Sequence, residues 1–439
     1  MSTTVEFSAE FNPEIPSLLP LDKVYSIQVG GKLFKLSGAS LSSDGPSHFT
    51  DFFQQPENSD KILCIDRNPD VFNLIYMHLQ GYQINVENDY QFVHLYSDSY
   101  YYSLRRLQRF LAEDDLFATV GNVSFKIART LFTSTGNFPN YFTISYNSML
   151  TNNFEIIQIK NMIRPPPQKP VTVPNRSPKL FNDLLELLKR NPLVIENEEH
   201  RSLLIRECKY YRFAELEQQI IKYKIVNNPF SPDNKQEIII GLKDISPKGL
   251  INEQPIDIKH EVALQYQRPC IAREPKRTLI FQLDSTSCEI FNKDYSEVKL
   301  ILNKSTKLMI LQISNKLCLK YVSLFKTLNE EIVAHTSDCG APQISVLVGL
   351  RDSKAKINGM DMKKDWVNDL LGPPVNDATD DQNNAKRRRT DIVGDIIEFK
   401  LTRSLWRVMM RGKNIRLHAV SFEGLTDQSS FIRQEIDFL

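Results

Sequence analysis

The chain has 439 residues, 41% of them hydrophobic and 10% aromatic, which suffices for real cores and suits roughly three domains. Lys and Arg number 54 against 53 Asp and Glu, a formal charge of +1, so there is no bulk basic excess for nucleic acid and no acidic tail. Runs such as EIIIGL (237–242) are far too short for a membrane span, and six scattered cysteines (64, 208, 270, 288, 318, 339) without a CxxC read as reduced thiols of an intracellular protein, in cytoplasm, nucleus or both.

Residues 1–22 carry acids but no Lys or Arg and no apolar h-region, and read as a tail rather than a signal or transit peptide. Two alternating runs then flank Gly30-Gly31 in VYSIQVGGKLFKLS (24–37). That is a hairpin pattern, because tight two-residue turns need positive φ. KILCI (61–65) reads as a short buried strand. In DRNPDVF (66–72), Asn68 can cap a helix with Pro69 at its first position and Asp70 near its positive end. Phe72, Ile75 and Leu79 then share a face, and Gly81 ends the helix. A further helical pair, DYQFVHLYSDSYYYSLRRLQRFLA (89–112), closes a small α+β unit over 23–114.

The chain then repeats itself. A shift of 109 aligns Arg67 with Arg176, Pro69 with Pro178, Phe72 with Phe181, Tyr101 with Tyr210 and Leu107 with Leu216, without a gap. Upstream, a shift of 91 aligns Val29, Gly30, Phe34, Lys35 and Ser43 with Val120, Gly121, Phe125, Lys126 and Ser134. The difference places an eighteen-residue insertion near 147–170, whose Pro165-Pro166-Pro167 suits an extended linker. A second, diverged unit is expected over 116–226. Ser177 is its cap, and Arg190 stands where the first copy has its helix-ending glycine, a weaker stop. With almost no linker at Asp115, the two units are expected to pack against each other within the chain.

Residues 237–439 read as β-rich: short apolar or alternating runs separated by polar turns suggest a sandwich or an α+β domain. The low-apolar stretch 373–391 is expected to be a disordered loop, dispensable for folding. Its basic run, Lys386, Arg387, Arg388 and Arg389, suits nuclear import, although a solvated run balancing DATDD explains it equally. Arg403, Arg407 and Arg411 share one face, a basic docking stripe or a solvated one.

Taken in order, VGGKLFKLS, CIDRNPDVF, HLQGY and SYYYSLRRL resemble the BTB/POZ domain of the potassium-channel tetramerisation type. The motif residues are Val29, Gly30, Gly31, Phe34, Asp66, Arg67, Pro69, Phe72, Gly81, Tyr101, Tyr102 and Leu104. The resemblance implies two tandem BTB/POZ-like α+β units followed by a β-rich C-terminal domain, the second matching less well. It implies a homo-oligomerising, protein-binding domain without catalysis, and lacks the Cys/His zinc signature of some channel members. The arrangement as a whole, with LTRSLWRVMMRGKNIRLHAVSFEG (401–424), resembles small yeast BTB proteins related to the fungal general-stress-response protein. That protein escorts a plasma-membrane phosphatase and restrains nutrient signalling. The implied partners are proteins, including a phosphatase, a cullin and the chain itself. Divergence between the copies favours a monomer or dimer over a tetramer.

Other chemistry is not supported. VGGK lacks the spacing of a phosphate loop, and GxSxG, HExxH and DxDxDG are absent. His335 and Cys339 form one ligand pair without a second, so a loop or core role outweighs zinc. Asp66 and Arg67 read as turn braces, with no neighbouring carboxylate or His to tune them as acid and base. The chain therefore reads as a scaffold or adaptor, with no catalytic residue, cofactor or metal. A cullin-ligase substrate adaptor is the nearest alternative, and an unrecognised enzyme in 237–439 is the alternative of another class. A cleft there with convergent titratable groups would distinguish the latter.

Overall fold

The computed structural model describes residues 16–113, 115–154, 171–229, 236–252, 261–284, 297–337, 340–364, 366–371 and 396–427. The expected loop 373–391, its basic run 386–389, Cys288, Cys339 and the Pro-Pro-Pro stretch lie outside these residues. Contacts divide the chain into two compact units at Ile220/Ile221.

In the N-terminal unit, β1 (Val24–Val29) and β2 (Lys32–Ser37) form an antiparallel hairpin, and β3 (Leu63–Ile65) lies parallel to β1. Gly30 sits at φ +54 in the turn and donates its N–H to the Ile65 carbonyl (2.9 Å), joining turn and third strand. Five helices follow the sheet's order: α1 (Gly38–Ser42), α2 (His48–Phe53), α3 (Pro69–Leu79), α4 (Asp89–Tyr101) and α5 (Arg105–Glu113). Asn68 accepts the Asp70 N–H at the start of α3, whose Phe72, Ile75 and Leu79 are buried. Residues 16–22 are not a free tail: Leu19 is buried, and Leu21 and Lys23 accept backbone N–H groups from the start of α1.

The second half repeats this order. Strands β4 (Leu116–Val120) and β5 (Val123–Ile127) form a hairpin, with β6 (Val171–Val173) parallel to β4. Gly121, at φ +60, donates to the Val173 carbonyl (2.8 Å). Helices α6 (Tyr141–Phe154), α7 (Pro178–Leu188), α8 (Glu198–Tyr211) and α9 (Ala214–Ile220) complete it. Ser47 and Thr50 cap α2 reciprocally, and Asn140 and Thr143 make the same pair of bonds at α6. Helix α6 is 14 residues against 6 in α2, so added length begins inside this helix. One hydrophobic core runs through both halves.

The second half ends at Ile220 rather than at 226, because β7 (Tyr223–Asn227) pairs with β8 (Gln236–Gly241) in the C-terminal unit. The further strands there are β9 (Leu250–Ile251), β10 (Val262–Ala263), β11 (Gln265–Tyr266), β12 (Arg277–Asp284), β13 (Val298–Asn303) and β14 (Met309–Ser314). After α10 (Asn315–Phe325) come β15 (His335–Thr336), β16 (Pro342–Gly349), β17 (Lys354–Ile357), β18 (Met360–Asp361), α11 (Trp366–Leu371), β19 (Ile396–Arg411) and β20 (Asn414–Leu425). All 14 belong to one sheet, not to two facing ones. Its pairings close a ring: β13 to β14, β14 to β16, β16 to β20, β20 to β19, and β19 back to β13. Register shifts near Arg403 and Trp406 bend the 16-residue β19, so its first part pairs with β13 and its later part with β12. Trp406, fully buried, donates its indole N–H to Ser404 Oγ (2.8 Å).

Candidate protein-interaction surface

The corner at residues 66–72 is a brace. Arg67 donates to Asp98 on α4 (3.1 Å) and lies over the Tyr101 ring, 4.2 Å from its centroid. Arg176 repeats both contacts, to Glu207 (3.0 Å) and over Tyr210 (3.8 Å). Each guanidinium ties its corner to the long helix through a charged hydrogen bond and a stacked ring. Asp98 is buried, and burial pushes its carboxyl up to about 6 despite the downward pull of Arg67. Beneath the brace, Phe34 meets Phe72 edge-on (4.8 Å) and Phe125 meets Phe181 likewise (4.9 Å).

The motif residues thus gather in one place, mostly as core. Val29, Phe34, Phe72, Tyr102 and Leu104 are buried, with Tyr102 stacked on Phe49 at 4.8 Å. A Cβ at Gly30 would lie 3.3 Å from the Arg67 carbonyl and 3.5 Å from Pro69, so the turn is seated on the corner. A Cβ at Gly31 would meet nothing within 4 Å. Asp66 is exposed beside the corner, and Gly81 ends α3 at φ +83.

The two halves pack against each other as the short connection at Asp115 led us to expect, but the residues that make the contact were not legible in the sequence. Helix α4 and the chain before it lie across the outer face of the β4–β5 sheet. Phe92 packs against Phe117 (5.5 Å between centroids) and Tyr146 (5.2 Å), and Thr119 donates to the Asp89 carboxylate (2.6 Å). Lys126 reaches Asn85 Oδ1 (3.2 Å) and the Val86 carbonyl (3.3 Å). Ile84, Val86, Phe92, Tyr96 and Phe117 are consequently buried. A helical flank of one half meets the sheet of the other, so the contact is head to tail. The signal that could have located it was β4 itself: Leu116, Phe117, Ala118 and Val120 form a run apolar on both faces, unlike β1.

In the C-terminal unit a cleft of about 740 Å³ opens where β16 and β20 part, lined by Ile332, Val333, His335, Leu347, Arg411 and Ile415 among others. Glu261 on its wall is engaged by Arg416 (3.1 Å) and His418 (3.4 Å). Arg403 and Arg407 do not form a free basic stripe: they pair with Glu423 (3.1 Å) and Glu237 (2.7 Å). Among the described residues no group of three or more His, Cys, Asp and Glu converges as for a metal, and His335 is exposed. No helix among them is long and apolar enough to cross a membrane. Cys208 is a fully buried core side chain, and that burial pushes its thiol well up.

A glycine-turned hairpin, a parallel third strand, the Arg67 corner and the capping helices define a BTB/POZ domain, and a BTB/POZ family model matches residues 25–110. Residues 235–436 match the family described as the YLR108C C-terminal domain. The Saccharomyces cerevisiae protein named uncharacterized protein YDR132C is 38% identical over 72% of this chain and 72% of its own length. BTB/POZ domain-containing protein YLR108C of the same yeast is 33% identical over 78% of this chain and 77% of its own. The chain belongs to this family of BTB/POZ domain-containing proteins. Its BTB/POZ domain, of the potassium-channel tetramerisation type, is a protein-interaction module, of a kind that is generally non-enzymatic.

Proposed function

We propose that the chain is a non-enzymatic adaptor: BTB-type units at its N-terminal end bind proteins, itself included, and the β-rich domain carries a client. The carrying observation is that the second half repeats the first down to the Arg–carboxylate–tyrosine brace, which supports reading it as a second, diverged BTB unit. A client surface is supported by the cleft between β16 and β20, where Val333 and Leu347 are about half exposed beside the charged groups. Action within the cell, in stress or nutrient signalling, follows from the resemblance of the whole arrangement. Affinity capture with the intact chain tests this, beside a variant carrying Val333→Asp and Leu347→Asp with an unchanged melting temperature. The variant should lose a specific bound protein while retaining those held through residues 23–113. Recovery of no stoichiometric partner by the intact chain would sink the reading.

A further inference from the structure

Strand β16 has three neighbours, and on one edge it has a stretch with none. Along one edge it pairs with β14 from Gln343 to Leu347. Along the other it pairs with β15 at Pro342 and Gln343, and with β20 at Val348 and Gly349. Between these two pairings, from Ile344 to Leu347, no strand among the described residues lies on that edge. Backbone groups of successive strand residues point to opposite edges, so the ladder on either side tells which residues face the gap. Ser337 donates to the Ala341 carbonyl (2.9 Å), which turns Gln343, and therefore Ser345 and Leu347, toward the β15 edge. The far side agrees. Asn303 donates to Leu308 (3.0 Å) and Ser314 to Glu297 (2.8 Å), which leaves Leu311 and Ile313 to bond Val346 and Ile344. The N–H groups of Ser345 and Leu347 and the Ser345 carbonyl thus point into the cleft where β16 and β20 part, and both residues are exposed. Val333 is exposed beside them, and Ile332 and Ile415 are half-buried. The β20 side is cationic. Arg411, Lys413 and Arg416 are exposed at the β19–β20 turn, against Glu261, whose carboxylate Arg416 and His418 share. The other anion lining the cleft, Glu331, belongs to the segment before β15.

From this geometry we infer that the cleft receives an extended segment of a partner protein as an added strand on β16. The segment's backbone accepts the Ser345 and Leu347 N–H groups and donates to the Ser345 carbonyl. Its alternate side chains are apolar and seat against Val333 and Leu347. It carries an acidic residue toward Arg411 and Arg416, where the cleft has a surplus of positive charge. Backbone donors and acceptors repeating every second residue match another extended backbone, and neither a helix nor a compact ligand presents that row. Exposed sheet edges are commonly guarded by charged side chains or proline. Here the edge residues are Ser345 and Leu347, and their position in a recess beside β20 admits a single chain while shutting out the edge of another sheet. The inference rests on the reading of this cleft as a client surface and deepens it by naming the form and chemistry of what binds.

The test selects binders to the intact chain from a library of random short peptides and follows the best of them by hydrogen exchange and titration. Enriched peptides should share alternate apolar residues and an acid near one end. In the free chain the Ser345 and Leu347 amides should exchange fast while those of Ile344 and Val346 are slow, and the peptide should slow the first two. Ser345→Pro deletes one of the edge donors and should weaken binding about tenfold. Ser345→Ala keeps that donor and should bind as wild type does. Proline is tolerated at an unpaired edge, so melting temperatures should stay together. Arg411→Glu should disfavour the acidic peptide and favour one with lysine in that place. Four results overturn the inference: no enriched peptide, binding indifferent to Ser345→Pro, a bound peptide that leaves both amides fast, or amides already slow in the free chain, which would mean that the chain's own residues or a second copy fill the place. Any of these leaves the adaptor reading standing if the Val333→Asp and Leu347→Asp variant still loses a captured protein; an intact chain that captures none sinks that reading as well.

Discussion

Arg190 occupies a left-handed position, φ +67, at the end of α7, where Gly81 ends α3. Both stops are built alike. Gly81 and Tyr82 donate back to His78 and Met77, and Arg190 and Asn191 donate back to Leu187 and Glu186. The sequence suggested a weaker stop, and the structure shows the same stop made by a residue that resists it. Arg212 does the same after α8, at φ +63. Arg190→Gly and Arg212→Gly should each raise stability by up to about 1 kcal/mol in denaturant titrations; a loss at either site would contradict the strain argument. Asp98 gives a pH signature. Its folded-state pKa of about 6 lies above the ordinary 3.8, so the native state holds the proton more tightly. That contribution is fully present below about pH 4 and is lost as pH rises through 6, a difference of about 1–3 kcal/mol. The Asp98→Asn variant, which stays neutral, should therefore gain on wild type in melting temperature between pH 4 and pH 7. A gap that moved the other way would mean that the Arg67 pairing outweighs burial.

At the scale of elements, legibility followed the range of the signal. The Gly30 turn, the Asn68-Pro69 start of α3 and the Phe72–Leu79 face are written within a few residues, and each element stands where its spacing puts it. The closed sheet is not written that way. Strand β19 reads as separate runs because Arg403 and Arg407 interrupt its apolar pattern, and their partners Glu423 and Glu237 lie far off in sequence. A second long-range knot holds β12 and β8: Arg268 grips Glu274 through two bonds (2.9 and 2.8 Å), Arg277 joins the same carboxylate, and Arg277 also reaches Gln236 (3.0 Å). Burial opposes the charge on Glu274, but the two guanidinium groups hold its carboxyl below the usual range. Glu274→Gln leaves two buried cations without their anion and should lower stability by about 2–4 kcal/mol, measured by chemical denaturation. A neutral outcome would mean that water reaches the knot.

At the scale of the whole molecule, the candidate surface was half legible. Its motif residues could be picked out, but most are core, and the residues that make contact, Phe92 with Phe117 and Asp89 with Thr119, carry no motif. Because both halves share one core, they should unfold together. Phe92→Ala should cost about 3–5 kcal/mol, and hydrogen exchange should quicken in β4 as well as in α4; quickening confined to α4 would show two independently folding halves. The head-to-tail contact inside the chain has one more consequence. In a ring of identical copies, a change at one contact residue is made at every contact at once, for better or worse. Here Phe117 and Ser26 occupy the same place in two sheets but are separate letters of one gene. A substitution at Phe117 alters how the chain holds itself, whereas one at Ser26 leaves that internal contact untouched. Fixing one neighbour in the polypeptide therefore lets the first sheet's face change in sequence without disturbing the contact inside the chain.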